Sequence, residues 1–175
     1  MKRISILFIV ISFVTCSAVA QWSVNAGALF QKTEALYWEN GIGVDVSSQQ
    51  LLNDKLHLKF NYLSSRLCSA MFSNALRQDN LLVGADWRFR SDKDLQILAG
   101  LNTGIFMADY ETDIFNDLPA SSMLFQVETG LVYRFKFPVT ASLTAGYNLI
   151  SGDGVGVPGS IFPVFYKLSF YYRIK

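Results

Sequence analysis

Beyond residue 20, apolar side chains recur at every second position, the period of a strand with two unlike faces. Trp22, Val24, Ala26, Ala28 and Phe30 alternate with Ser23, Asn25, Gly27 and Gln31. Ile42, Val44 and Val46 form the next such row, and Leu56, Leu58, Phe60 and Tyr62 the third. Leu81, Val83, Ala85, Trp87 and Phe89 follow, then Leu95, Ile97, Ala99, Leu101 and Ile105. The last three rows are Phe125 to Phe135, Val139 to Leu149, and Val164 to Ile174. Eight rows predict an all-β chain of eight strands, and the short gaps between them predict antiparallel, up-and-down neighbours.

Charge placement supports the phase of this reading. Glu39, Asp45, Lys55, Lys59, Asp86, Arg88, Arg90, Glu128, Arg134, Lys136, Lys167 and Arg173 all fall on the polar parity of their strands. Once one charge per strand has set the phase, chance would place the others so only about once in a hundred. Two eight-stranded barrels have such faces. A lipocalin-like one turns the apolar face inward, and a transmembrane one turns it toward lipid.

Three features favour lipid. The polar face is rich in Gly, Ser, Thr and Asn, which suit a narrow lumen. Expected outer connections at 32–38, 66–79, 108–122 and 151–160 are mostly longer than the returning turns at 48–54, 91–94 and 137–138, the outer-membrane pattern. Aromatics on the apolar parity also gather in two girdles, as interfacial rings do. Trp22, Trp87, Phe89, Tyr133, Phe135 and Tyr172 mark the periplasmic rim, and Phe30, Tyr62, Phe125, Tyr147 and Tyr166 the outer one.

The first 20 residues read differently. Met1-Lys2-Arg3 is a short basic head, Ile4 to Val14 an apolar run, and Ala18-Val19-Ala20 a small-residue cleavage site. This is the pattern of a signal peptide, too short for a retained helix. The expected division is therefore a leader over 1–20 and a barrel domain over 21–175. Loss of Lys2 and Arg3 takes the net charge from +1 to −1, too small to steer a polyanion, and no nucleic-acid partner is expected. Of the two cysteines only Cys68 stays in the exported chain, which excludes an internal disulfide. At 17% charged residues against a soluble average of about 25%, the chain is neither a coiled coil nor disordered.

In architecture, and in its aromatic final strand Phe165-Tyr166-Lys167-Leu168-Ser169-Phe170-Tyr171-Tyr172, the chain resembles the small outer-membrane β-barrels, the OmpX-like proteins and the OmpA transmembrane domain. The resemblance covers essentially all of 21–175. It implies a monomer in the cell outer membrane, in contact with membrane lipids and lipopolysaccharide and inserted by the barrel-assembly machinery. Its members include structural anchors, adhesins and lipid-modifying enzymes, so it does not fix an activity.

Candidate chemistry is sparse. His57 is the sole histidine, and the string His57-Leu58-Lys59 lacks the His-x-Ser of PagL-type deacylases. Ser64, Ser65 and Ser69, near the start of the second outer loop, have no local base-nucleophile motif, and Cys68 lies in the same loop as a lone thiol. Asp109, Glu111, Asp113 and Asp117 make the third loop acidic without EF-hand spacing. The glycine-rich 151–159 joins two strands and so cannot be a phosphate loop, which needs a following helix. No catalytic residue, metal or cofactor is expected. The one polar constellation with a physical rationale is a paired charge network in the lumen, built from Lys59, Asp86, Arg88, Glu128, Arg134 and Lys167.

Overall fold

The computed structural model describes residues 22–33, 37–49, 52–68, 74–110, 120–150 and 164–174. The expected leader over 1–20 lies outside them. Eight strands follow one another: β1 (Trp22–Thr33), β2 (Tyr37–Ser48), β3 (Leu56–Cys68), β4 (Asn74–Phe89), β5 (Leu95–Tyr110), β6 (Ser121–Arg134), β7 (Val139–Ile150) and β8 (Val164–Arg173). Each pairs antiparallel with its sequence neighbours, and β1 also pairs with β8, so the sheet closes on itself. Closure leaves no strand edge, the condition for placing a sheet in hydrocarbon, where unpaired amides cost several kcal/mol each.

The apolar parity faces outward. Leu131 and Phe170, 49% and 42% exposed, stand on the outer wall, so the inward-facing lipocalin arrangement does not apply. The same wall carries Ile42, Phe60, Val83, Leu101, Leu143 and Tyr166, all exposed. Such a continuous apolar surface far exceeds what a soluble monomer exposes, and it needs an apolar solvent.

The strands run further than periodicity indicates. β3 continues to Cys68, β4 begins at Asn74 and β5 reaches Tyr110, so Cys68 and Asp109, expected in loops, belong to strands, and Ser64 and Ser65 lie well inside β3. The connections at the loop end become 34–36, 69–73, 111–120 and 151–163, the first three shorter than expected and the fourth longer, against turns at 49–55, 90–94 and 135–138. The expected contrast in length therefore holds only in the second half of the chain. Ser69, Glu111, Asp113, Asp117 and 151–159 lie outside the described residues.

These extensions also end the charge-free outer face. Lys32, Arg77, Asp79 and Asp109 share the outward parity, and the Tyr62 hydroxyl donates to Asp79 Oδ1 at 2.9 Å. They mark where the apolar belt stops. Beyond it the β3–β4 and β4–β5 ladders continue, so Tyr62 borders the belt although it lies midway along its strand. Trp38, absent from the expected outer girdle, is exposed at this level with Lys32 Nζ 5.4 Å from its ring.

At the turn end, Trp22, Phe89, Tyr133 and Tyr172 are exposed and Trp87 is half-buried, all on the outward parity. Phe135 falls outside β6, in the turn, where it packs edge-on to Tyr133 at 4.8 Å and stacks on Phe137 at 5.0 Å. Arg90 and Lys136 likewise belong to turns.

Candidate functional site

The lumen is filled, as the interior of eight strands allows. Three layers follow one another from the loop end. In the first, Glu39 is buried among neutral donors: Thr33 Oγ1 at 3.0 Å, Gln78 Nε2 at 3.0 Å, Asn80 Nδ2 at 2.9 Å, and Gln31 Nε2. Next comes an apolar layer of Leu29, Leu63, Leu82, Phe106, Leu124 and Tyr171, drawn from six strands and fully or almost fully buried. It separates the two mouths of the barrel. The Tyr171 hydroxyl leaves this layer to donate to Asn61 Oδ1 at 3.3 Å.

The third layer is ionic. Glu128 is ion-paired with Lys167 Nζ at 2.6 Å and accepts from Thr144 Oγ1 at 2.8 Å and Asn102 Nδ2 at 3.1 Å, with Lys59 Nζ at 3.8 Å. Lys59 Nζ also pairs with Asp86. Nearer the turns, Asp45 accepts from Arg88 at 2.5 Å and faces His57 Nδ1 at 2.7 Å. The six charges of this layer balance, three of each sign, and each meets an opposite partner. Leaving any of them unpaired in this interior would be costly.

The strand pattern explains the placement. Lys59, Asp86, Glu128 and Lys167 lie on four strands at positions that the register brings to one level, with Asp86 opposite Gly100 and Gly100 opposite Glu128. Gly100 is small because the room its side chain would occupy is taken: a Cβ there would collide with Asp86 Oδ1 and lie 3.0 Å from Glu128 Cγ. Gly100→Val should therefore lower stability by about 1–3 kcal/mol, as overpacking does. Urea unfolding of the refolded protein in lipid vesicles would show it, and an unchanged midpoint would refute the packing assigned to this layer.

Five of the six residues expected to form a lumen network, Lys59, Asp86, Arg88, Glu128 and Lys167, are buried inside. Arg134 is not with them. It sits half-exposed at the turn end, 3.5 Å from Asp54. Asp45 and His57, which sequence reasoning left out of the set, complete it. Their polar parity was visible, but their partnership with Arg88 depends on a register that no local spacing reveals. The Nδ1 of His57 is turned to Asp45 within the lumen, and its hydroxyl-and-carboxylate setting toward lipid, which a deacylase would need, is not what the described residues form.

Asp54 reaches the mouth through an unusual turn. Leu52, Asn53 and Asp54 have φ of 56°, 57° and 60°, three successive left-handed residues just before β3. Asn and Asp tolerate this region, whereas Leu52 is strained in it. The result is a cavity of about 320 Å³ at the turn end, lined by Arg88, His57, Arg134, Arg173, Asp54 and Thr140 among others.

The geometry defines a closed eight-stranded barrel of the outer-membrane type. Among solved structures, the N-terminal β-barrel domain of Pseudomonas aeruginosa OprF is similar over 89% of this chain and 99% of that one, at TM-score 0.63 and 12% identity. The outer membrane protein OprG of Pseudomonas aeruginosa is similar over 87% and 95%, at TM-score 0.50 and 12% identity. A de novo designed transmembrane β-barrel matches over 87% and 95%, at TM-score 0.52 and 11% identity. No protein-family model matches, and no curated protein sequence does. At these identities the likeness establishes the fold.

Proposed function

We propose that the protein is an integral, monomeric, non-enzymatic barrel of the bacterial outer membrane, exported by its first 20 residues, supporting the envelope or presenting its loop end to other molecules. The observation that carries this reading is the apolar outer wall around a lumen closed by the Leu29–Leu63–Leu82–Phe106–Leu124–Tyr171 layer. The wall suits acyl chains, lipopolysaccharide meeting it at the loop end. The aromatic β8 offers the barrel-assembly machinery its substrate strand. With the lumen blocked, contact through the loop end is the activity the shape favours. The sole histidine, bound to Asp45 inside, supports the non-enzymatic part.

Refolding tests this proposal. The protein should fold only when detergent or lipid is present and should migrate differently on a gel before and after boiling, as closed barrels do. It should also sediment with the outer membrane and give no conductance steps in planar bilayers. Folding in plain buffer, or recovery as a soluble periplasmic protein, would overturn the proposal.

A further inference from the structure

The charges outside the lumen are unevenly placed. Of the twelve on the polar parity seven are buried inside, and the five others, Lys55, Arg90, Arg134, Lys136 and Arg173, are all basic and all lie at the turn end. With Lys93 in the turn at 90–94 they make six cations there, against Asp54, Asp92 and Asp94. The loop end leans the other way: its four connections carry Glu34, Glu111, Asp113, Asp117 and Asp153 and no Lys or Arg. A net charge near zero therefore hides one basic rim and one acidic rim.

The basic excess is least compensated at one place. The β6–β7 turn and the end of β8 enclose a cavity of about 250 Å³ whose lining includes Arg134, Lys136, Arg173, Phe135, Phe137 and Val139, and no carboxylate. Arg134 is already held by Asp54, 3.5 Å away. Lys136 and Arg173 are exposed and have no ion-pair partner among the described residues. The backbone fixes their setting: Phe135 N donates to Val139 O at 3.1 Å and Arg173 N to Pro138 O at 2.9 Å, which ties the turn to β8. Beside the two cations runs an apolar column, since Phe135 packs on both Tyr133 and Phe137, and Phe137 is 57% exposed.

Cations and exposed aromatics in one place call for an amphiphile. Tyr133 and Tyr172 mark the edge of the apolar wall, and Lys136 and Arg173 lie immediately past it, at the level where a leaflet carries its phosphates. Their long stems bring charge to that level, although Arg173 belongs to the inward row. A soluble anion would meet the cations and leave Phe137 in water, whereas a phospholipid answers both. An anionic headgroup is favoured over a zwitterionic one, because the cavity offers no carboxylate to a lipid ammonium group.

We propose that Lys136 and Arg173, with Phe135 and Phe137, form a seat for an anionic phospholipid of the leaflet at the turn end. The seat rests on the envelope reading above and deepens it, since its ligand is drawn from the surrounding bilayer.

Spin-label resonance on the full chain, folded in phosphatidylcholine vesicles, tests the proposal with spin-labelled phosphatidylglycerol and spin-labelled phosphatidylcholine as probes. Averaged over all lipids at the wall, phosphatidylglycerol should associate about fivefold more strongly at low salt, since each Lys or Arg near a charged surface contributes roughly that factor. The preference should fall to about twofold in Lys136→Gln or Arg173→Gln and vanish in the double variant. Lys32→Gln, at the opposite rim, should retain it. Molar salt should abolish it in the unsubstituted protein, because the screening length shrinks to about 3 Å. Equal association of the two lipids overturns the proposal, as does a preference that survives molar salt, a full preference in the double variant, or an equal loss in Lys32→Gln. The gel shift on boiling verifies that each variant is folded, and the lipid and salt comparisons on the unsubstituted protein decide the matter even if one is not. Failure of the unsubstituted protein to insert would overturn the envelope reading and the seat together, whereas insertion without a lipid preference overturns the seat alone.

Discussion

Glu128→Gln should lower unfolding free energy by about 3–5 kcal/mol, the usual consequence of removing one partner from a buried ion pair. Glu128 is ion-paired with Lys167 and accepts from Thr144 and Asn102, with Lys59 close by. The amide retains the shape and loses the charge, so Lys167 loses its carboxylate partner while Lys59 keeps Asp86. Lys167→Met in the same chain removes the stranded cation, and the double variant should regain most of the lost stability. A double-mutant cycle from urea unfolding in vesicles measures the coupling. Additive single losses would show that Glu128 and Lys167 do not act as a pair.

Leu101→Arg should cost about 2–4 kcal/mol, the range for a cation placed near the middle of a lipid-facing strand. Leu101 is 64% exposed on β5, between Ala99 and Thr103 on the same face. Leu143→Arg on β7 should behave alike, since Leu143 also points outward. Thr144→Arg, one residue along, provides the contrast. Thr144 is buried and donates to Glu128, so its substitution acts through crowding and through the charge balance of the lumen. The outward variants should fold better in bilayers thin enough to let arginine reach the interface, and the inward one should not respond to thickness. Equal behaviour of the three variants would contradict the assigned faces.

The facing of every strand was legible because a sheet alternates strictly, so its apolar row, joined in five strands by charges on the other parity, sets the phase. Strand ends were not. Ser64-Ser65 and Gln78-Asp79-Asn80 are polar on both faces, which in a sequence resembles a loop, although here it is sheet rising past the apolar belt. The apolar lumen layer was hidden for the opposite reason. Leu81-Leu82-Val83 is apolar on both faces, and Leu82 reads as noise in the outward row when it is in fact the inner one. The candidate site divided in the same way. Lys59 and Asp86 announced themselves by parity, whereas the Asp45–Arg88 pair joins positions 43 apart and needed the register.

The pairing of β1 with β8 has a consequence for assembly. Every other hairpin joins segments that are adjacent in the polypeptide, but this seam unites its two extremities. A nascent sheet lacking either one therefore exposes two raw flanks to the acyl chains, and no half-built form is a resting place. Once sealed, the ring has no first or last member, so the location of the termini is a matter of biosynthesis and not of architecture.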